Sequence, residues 1–154
     1  MKTKIVFVLG GVFSGIGKGI ISSSIGKLFK NSGLRVSMQK HDPYLNVDCG
    51  LLNPVEHGEV FVTKDGLETD LDLGNYERFL HQKMSHISSI TAGKIYQELL
   101  NEERNQKYQG KTINIYDVAN KVKEKIFAIA KQENSDCLVV ELGGTLGEIG
   151  RAHV

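Results

Sequence analysis

The sequence has little excess charge, few cysteines and no long apolar run, and each absence excludes a class of protein. Nineteen basic against eighteen acidic residues give a net charge of +1, which provides no field for attracting nucleic acid or an anionic membrane. No apolar run reaches the roughly 18 residues of a membrane-spanning helix. The two cysteines, Cys49 and Cys137, are too far apart to form a metal motif and fit a reducing compartment. We therefore expect a cytoplasmic protein with no nucleic-acid or membrane partner.

Apolar runs alternate with amphipathic segments along the chain. The runs predict strands at Lys4–Leu9, Leu34–Gln39, Thr112–Tyr116 and Cys137–Leu142, with shorter ones at Val60–Thr63 and Leu71–Leu73. Helical spacing predicts helices at Ile20–Asn31, Tyr76–Lys83, Thr91–Arg104 and Val118–Gln132, the last capped by Asp117. Such alternation indicates an α/β fold of the Rossmann-like type, in which a mostly parallel sheet with a phosphate loop carries helices on both faces.

The densest group of glycines lies between the first predicted strand and the first predicted helix, in GGVFSGIGKGI at residues 10–20. A glycine-rich turn at this place directs backbone N–H groups and the positive end of a helix at one point, where phosphates bind. Lys18 adds a charge that can reach the β and γ phosphates. The common motif G-x-x-x-x-G-K-[ST] is matched at Gly17 and Lys18 but not at Val12 or Gly19. The sequence predicts a variant phosphate loop; the alternative is a closely packed turn that binds nothing.

Gly19 lacks the hydroxyl group that the common motif supplies to Mg²⁺, so carboxylates elsewhere must hold the ion. Glu141 lies at the C-terminal end of the last buried strand, and in an open parallel sheet that edge is where ligands bind. Lys40 and Asp42 follow the second predicted strand at the same edge. Carboxylate oxygens together with nucleotide phosphates are the ligands that usually hold Mg²⁺.

More carboxylates lie in a long segment without helical period, His41–Asn75. Structureless segments of this length in a small domain are usually functional or disordered, and the Pro, Asp and Tyr content favours function. Strand alternation would place Glu68, Asp70 and Asp72 on one side of an extended chain. For Asp70 by itself, a solvated surface position is the expectation.

Four stretches resemble the amino-terminal part of CTP synthase. They are GGVFSGIGKGI (10–20), KHDPYLNVDCG (40–50), HGEVFVTKDGLETDLDLGNYERF (57–79) and VVELGGTLGEI (139–149). The third is long and specific to that family, and the resemblance covers roughly residues 4–149. The family makes CTP from UTP, ATP and glutamine. Its amidoligase domain phosphorylates the uracil 4-oxygen, and ammonia from a separate glutaminase domain then displaces the phosphate.

The resemblance implies roles for individual residues. Lys18 and Lys40 would be catalytic, because they would stabilise charge on the transferred phosphoryl group. The ATP-binding residues would be Gly15, Ile16, Gly17, Lys18, Gly19, Ile20 and Asp72. The residues that bind UTP or CTP would be Ser14, Glu148, Ile149 and Gly150. Asp72 and Glu141 would ligate Mg²⁺.

The chain departs from the family pattern at three places, of which the glycine at residue 15, where the family has a second serine, is the mildest. The family carries Ile-Pro-His-Ile-Thr where this chain has Ile-Tyr-Asp-Val-Ala at residues 115–119. After Ile149 the family continues with an acidic residue, a Pro-Phe pair and a further helix, whereas this chain has Gly-Arg-Ala-His-Val. We expect residues 1–149 to be a partial amidoligase domain, residues 150–154 to be non-native, and the glutaminase domain to be absent.

The leading hypothesis is therefore that the chain is the nucleotide-binding fragment of a CTP synthase. The parent enzyme would be a homotetramer that uses ATP and Mg²⁺ and converts UTP and glutamine-derived ammonia to CTP. CTP would also be its feedback inhibitor. The fragment alone is expected to bind nucleotide without making CTP. One alternative is a phosphate-loop switch or partition-type ATPase that acts through protein partners. Another is a nucleotide-binding module without catalysis. A switch ATPase would ignore pyrimidine nucleotides, which separates the first two hypotheses.

Overall fold

Strands and helices alternate along residues 2–10 and 16–144, the part of the chain that a computed structural model describes. The strands are β1 (Lys4–Leu9), β2 (Val36–Asp42), β3 (Val60–Val62), β4 (Glu68–Asp70), β5 (Ser89–Thr91) and β6 (Cys137–Leu142). The helices are α1 (Lys18–Asn31), α2 (Pro54–His57), α3 (Asp72–Leu80), α4 (Ala92–Arg104) and α5 (Ile115–Gln132). The predicted bounds of the first and last strands are confirmed to the residue.

Within these residues, four strands form one parallel sheet in the order β1-β6-β2-β5, and β3 pairs with β4 in a separate antiparallel hairpin. Strand β6, the last one in the described residues, therefore lies between β1 and β2. Parallel neighbours require crossover connections, and the helices provide them. The predicted α/β class with a mostly parallel sheet is confirmed.

Side chains of β6 alternate between the two faces of the sheet, and each face is covered by helices. On one face, Val139 packs with Met38 of β2 and Leu73 of α3, and α1 packs beside α3. On the other face, Leu138 packs against Ile129 of α5. Because strand side chains point alternately to opposite faces, a strand covered on both faces must be apolar almost throughout. Helices on both faces, as predicted, follow from that pattern.

The prediction of a strand at Thr112–Tyr116 is wrong, because a helix begins inside it. Asn114 caps α5: its Oδ1 accepts the backbone N–H of Tyr116 at 2.9 Å, and Asp117 Oδ2 accepts the backbone N–H of Asn114 at 2.9 Å. This reciprocal capping box satisfies donors that a helix start would otherwise leave unpaired. It overrides the β-branched composition of the run. Asp117 is therefore the third helical residue and not the cap.

The prediction of a strand at Leu71–Leu73 is also wrong. The extended chain ends at Asp70, whose Oδ1 accepts the backbone N–H of Asp72 at 2.8 Å, and α3 begins there. A short acidic side chain that takes a nearby backbone N–H favours a helix start over a strand. Alternation therefore does not continue from Glu68 to Asp72. As a result, α3 begins four residues before its predicted start at Tyr76.

The second strand is longer at its end than its pattern predicts. It runs to Asp42, so Lys40 and Asp42 belong to its last three residues and do not follow it. None of the helices in the described ranges is long and apolar enough to cross a membrane.

Candidate active site

Lys18 lies where the sheet and the first helix meet. Helix α1 begins at this residue, after Gly17, whose φ of 81° is a left-handed value that suits glycine. The Lys18 Nζ is 3.3 Å from the carbonyl oxygen of Gly144, just beyond β6, to which it donates a hydrogen bond. A methyl group at Gly10 would stand 2.7 Å from that Nζ. The ammonium group is thus held between the ends of two neighbouring strands, beside the positive end of α1.

A second lysine, Lys40, is surrounded by carboxylates. Its Nζ is 3.0 Å from Asp72 Oδ2, 3.2 Å from Asp42 Oδ1 and 3.4 Å from Asp70 Oδ1. Glu141 also contributes to the field at this ammonium group. We call these five residues the Lys40 cluster. Four carboxylates around one ammonium group leave a local excess of negative charge, which a cation can balance.

The register of the sheet explains why these groups converge. Lys40 of β2 is the direct neighbour of Glu141 of β6. Directly opposed residues on adjacent strands point to the same face of a sheet. That face is the one covered by α3, whose first residue is Asp72. The two carboxylates predicted to bind magnesium therefore lie on one face, at the C-terminal edge of the sheet, as a shared ion requires.

Burial sets the protonation behaviour of the cluster. Only 6% of Lys40 is exposed; burial disfavours its charge, yet the surrounding carboxylates outweigh that cost and raise its pKa well above the usual value. Burial raises the pKa of Asp42 to about 6, against the lowering effect of Lys40. Burial likewise raises the pKa of Glu141, with Lys40 acting in the opposite direction. Burial thus disfavours the charged forms of Asp42 and Glu141, and a cation nearby would stabilise those forms.

The position of Asp72 explains why the phosphate loop has glycine at residue 19. A methyl group on Gly19 would overlap the Asp72 carboxylate. In the common motif a Ser or Thr side chain occupies that place and binds the metal ion. Here an oxygen of Asp72 lies in that space instead. A carboxylate from a different element thus lies where the common motif has a hydroxyl group.

Changing Gly19 to Ala tests this close approach. Alanine would normally favour a helix over glycine by about 1 kcal/mol. We expect the opposite here, a lower free energy of unfolding, because the new methyl group displaces the Asp72 carboxylate from Lys40. In an Asp72→Ala background the same change should be neutral or stabilising. Urea unfolding of the two single variants and the double variant measures the coupling, and an equal cost in both backgrounds would show that residue 19 and Asp72 do not interact.

The residues present fit a magnesium ion that is completed by phosphates. Among residues 2–10 and 16–144, His, Cys, Asp and Glu side chains form no group of three arranged to hold a metal by themselves. Asp72 and Glu141 offer hard oxygen ligands, and Mg²⁺ commonly takes one or two carboxylates while phosphates and water supply the rest. The donor set thus suits Mg²⁺ bound together with a nucleotide and does not suit a site made of protein alone.

The sequence prediction was wrong about one residue of this site, Asp70, and missed another, Tyr76. Asp70 is not a solvated carboxylate, because it pairs with Lys40 and only 18% of its side chain is exposed. Tyr76, fully buried on α3, donates its phenol hydrogen to Glu141 Oε2. Its spacing of four residues from Asp72 would have shown that both lie on one helix face, but the strand predicted at Leu71–Leu73 concealed that spacing.

Several predicted residues lie outside the described part of the chain. These are Ser14 and Gly15 in the loop, and Glu148, Ile149 and Gly150 near the C-terminus. The proposed non-native tail, residues 150–154, lies there too. Ile16 and Ile20 flank Gly17 to Gly19 at the start of α1, and both are exposed. Their roles in ATP binding stay predictions.

A cavity of about 1160 Å³ opens beside the Lys40 cluster. Lys40 and Asp42 line one side of it, Tyr44 follows them in the chain, and Tyr96 and Leu100 of α4 form an apolar wall. Ligand pockets usually combine apolar walls with a few well-placed polar groups. This space is large enough for a nucleotide, and it places a bound molecule next to the ammonium group of Lys40.

Comparison with known proteins shows the family to which this sequence is similar. A family model described as CTP synthase N-terminus matches residues 4–153. A CTP synthase of Onion yellows phytoplasma (strain OY-M) is 53% identical over 150 residues, which is 97% of this chain and 28% of that protein. A CTP synthase of Clostridium acetobutylicum is 51% identical over the same shares of the two chains. One of Mycoplasma mycoides subsp. mycoides SC is 54% identical over 147 residues, 95% of this chain and 28% of that protein. The chain thus spans little more than a quarter of the length of these relatives.

Proposed function

Because this chain belongs to the CTP synthase N-terminus family, we propose that it is the ATP-binding part of a CTP synthase. That enzyme would be a glutamine-hydrolysing ligase that converts UTP to CTP at the expense of ATP. Membership of the family does not favour a switch or partition-type ATPase. The chain spans 28% of the length of a relative such as the phytoplasma CTP synthase. The reaction and the substrates of the whole enzyme are therefore both part of the proposal.

The observation that carries the proposal is the placement of the Asp72 carboxylate. It occupies the space above Gly19 at the start of α1 and contacts Lys40 Nζ at 3.0 Å. A helix N-terminus, a lysine and a carboxylate that replaces the loop hydroxyl are the parts needed to hold a magnesium nucleotide. A glycine-rich turn that served packing alone would need neither a buried lysine nor four carboxylates beside it.

In this reaction Lys18 and Lys40 would have distinct tasks. Phosphoryl transfer depends mainly on positioning and on neutralising charge that spreads over the moving group. Lys18, at the positive end of α1, would hold the β and γ phosphates of ATP. Lys40, which lines the cavity, would face the phosphoryl group as it moves to the uracil 4-oxygen. Both ammonium groups would then stabilise the same transferred charge from two sides.

The proposed metal ligands are Asp72 and Glu141. Bound there, Mg²⁺ would neutralise charge on the ATP phosphates. The residues of the chain fix where it would be held: α3 carries one carboxylate and β6 carries the other. Both carboxylates lie beside Lys40, which limits the excess of negative charge in the absence of the ion.

The remaining partners are proposals that follow from the family. UTP would be the acceptor, glutamine would supply ammonia through a domain beyond this chain, and CTP would be the product and a feedback inhibitor. The parent protein would be a cytoplasmic homotetramer. In this chain the residues proposed to contact UTP or CTP are Ser14, Glu148, Ile149 and Gly150.

Changing Lys18 to Ala tests nucleotide binding. Mg-ATP at about 100 times its dissociation constant should add roughly 2.7 kcal/mol to the free energy of unfolding, which raises the melting temperature by several degrees. Lys18→Ala should remove most of that shift, because the charge that reaches the phosphates is lost. Thermal unfolding with and without Mg-ATP measures it.

The matched control is Lys27→Ala, on the same helix but more than two turns from its N-terminus. This variant should keep the full shift. A shift that survives unchanged in the Lys18 variant would refute the assignment of the phosphate loop. Separate titrations with UTP and CTP address the class of protein, since binding of either pyrimidine nucleotide contradicts a switch ATPase.

A further inference from the structure

Helix α3 bonds to the sheet residues of the Lys40 cluster through two side chains on one of its faces. Asp72 and Tyr76 are four residues apart, a spacing that aligns side chains along a helix. Asp72 contacts the ammonium group of Lys40 on β2, and Tyr76 donates to the carboxylate of Glu141 on β6. These two strand residues are direct neighbours in the sheet register. The helix is thus bonded to two adjacent strands. Each of the two bonds includes one of the proposed metal ligands, Asp72 or Glu141.

Both partners of the hydrogen bond between Tyr76 and Glu141 are buried. Tyr76 is 0% exposed and Glu141 is 1% exposed. The Tyr76 ring packs in the apolar core with Leu73 and Leu80 of the same helix. A ring held in this way has little freedom to move, so the phenol oxygen is a fixed point. The carboxylate that accepts its hydrogen bond is therefore restricted in its rotation.

We propose that Tyr76 is a positioning residue that makes Glu141 bind the metal ion through one oxygen and thereby sets the preference of the site for Mg²⁺ over Ca²⁺. The inference rests on the proposed function, because it takes Asp72 and Glu141 as the magnesium ligands. The hydrogen bond goes to Oε2. A donor on one carboxylate oxygen favours metal binding through the other oxygen alone. Removal of the donor frees the carboxylate to turn and present both oxygens.

The difference between the two ions makes this arrangement selective. Mg²⁺ requires a small octahedral shell with metal–oxygen distances of about 2.1 Å, in which a carboxylate usually supplies one oxygen. Ca²⁺ accepts six to eight oxygens at longer distances and readily takes both oxygens of one carboxylate. A restrained Glu141 therefore suits Mg²⁺. A freely rotating Glu141 suits Ca²⁺ better.

The chain contains a matched control for this test. Tyr108 donates its phenol hydrogen to Glu102 Oε2 at 2.7 Å, which is the same kind of bond at a distance from the sheet edge. Tyr76→Phe and Tyr108→Phe each remove one phenol oxygen and keep the ring. A merely structural role for Tyr76 would lower the melting temperature of its variant and leave the preference between the two ions unchanged, as in the control.

The experiment records the melting temperature of the chain at fixed ATP concentration while either Mg²⁺ or Ca²⁺ is added, and it yields an apparent affinity for each ion. Tyr76→Phe should weaken the Mg²⁺ affinity by about 10-fold or more, the usual loss when a partner of a metal ligand is removed. The Ca²⁺ affinity should fall less or rise, so that the ratio of the two affinities shifts. Tyr108→Phe should leave this ratio at the wild-type value.

A second variant guards against a general loss of packing. Replacement of Tyr76 by 4-aminophenylalanine keeps a donor at the same place and should restore the preference for Mg²⁺. If folded Tyr76→Phe keeps the wild-type ratio of the Mg²⁺ and Ca²⁺ affinities, the inference is overturned and the proposed function stays intact. The same conclusion follows if the ratio shifts and the amino variant fails to restore it. If the wild-type chain shows no effect of Mg²⁺ on ATP binding, the metal site itself is overturned and the inference with it.

Discussion

Replacing Lys40 by Met is expected to remove about 3–5 kcal/mol from the free energy of unfolding at neutral pH, the usual cost of breaking a buried ion pair from one side. The Lys40 ammonium group is the shared partner of Asp42, Asp70 and Asp72. Without it, buried carboxylates such as Asp42, which is 4% exposed, would face one another without compensation. A loss of this size is a large fraction of the stability of an ordinary domain. Urea unfolding measures it.

The loss should depend on pH in a defined direction. Asp42 has a pKa of about 6 in the folded chain against 3.8 as a reference, so the folded state holds the proton more tightly. Its contribution to stability is therefore fully present below the reference value and is lost as pH rises through the folded value. Lys40 lowers the pKa of Asp42, so removal of its ammonium group raises the pKa of Asp42 further. The deficit of the variant should be larger at about pH 8 than at about pH 5.

Lys83→Met is the matched control. Lys83 also pairs with a carboxylate, Glu77 at 3.0 Å, but 72% of its side chain is exposed. Exposed pairs contribute about 1 kcal/mol or less. This variant should therefore lose little stability and show no comparable pH dependence. Equal losses in the two variants would mean that burial does not govern the energetics of the Lys40 cluster.

Replacing Glu141 by Gln is expected to abolish the part of ATP binding that depends on Mg²⁺. The amide keeps the shape of the side chain and can still accept the hydrogen bond from Tyr76, but it lacks the charge that a hard cation requires. The stabilisation of roughly 2.7 kcal/mol expected from saturating Mg-ATP should fall to the value measured with ATP and a chelator. Thermal unfolding in Mg-ATP and in ATP with EDTA provides both values for each protein.

Glu102→Gln controls for the loss of a carboxylate that accepts a phenol hydrogen bond. Glu102 accepts from Tyr108 and pairs with Lys121 at 2.7 Å, away from the sheet edge. Its amide variant should keep the full difference between Mg-ATP and ATP with EDTA. If folded Glu141→Gln keeps that difference as well, Glu141 is not a metal ligand.

The sequence determined two neighbouring strands of the sheet, β1 and β6. The runs Lys4–Leu9 and Cys137–Leu142 are apolar almost throughout, and the structure gives them the predicted bounds. The run Cys137–Leu142 is buried almost throughout, and a strand covered on both faces has to be apolar. The run Lys4–Leu9 has the same composition, but Val8 is its one buried residue. The sequence also placed Glu141 at the strand end, because a single charge within an apolar run is a local signal. It placed Lys18 in the glycine-rich turn before the first helix, whose start it predicted at Ile20, two residues after the observed start.

Local signals failed where two of them competed. The run at residues 112–116 has strand composition, but the capping box formed by Asn114 and Asp117 starts a helix there. At residues 70–72 the hydrogen bond from the backbone of Asp72 to Asp70 ends the extended chain. In both cases a side chain satisfies backbone donors, and composition carries no information on whether such a bond forms.

Only the tertiary structure decided which groups share the site. The sequence predicted a carboxylate from the long segment as a substitute for the missing loop hydroxyl group, but the overlap of Asp72 with the space above Gly19 arises because α3 packs beside α1. The neighbouring positions of Lys40 and Glu141 arise because β6 enters the sheet between β1 and β2. The role inferred for Tyr76 likewise depends on the packing of α3 over β6. These contacts join residues between 53 and 101 positions apart. Local sequence pattern cannot fix such pairs, because strand order and helix packing depend on how the whole core is buried.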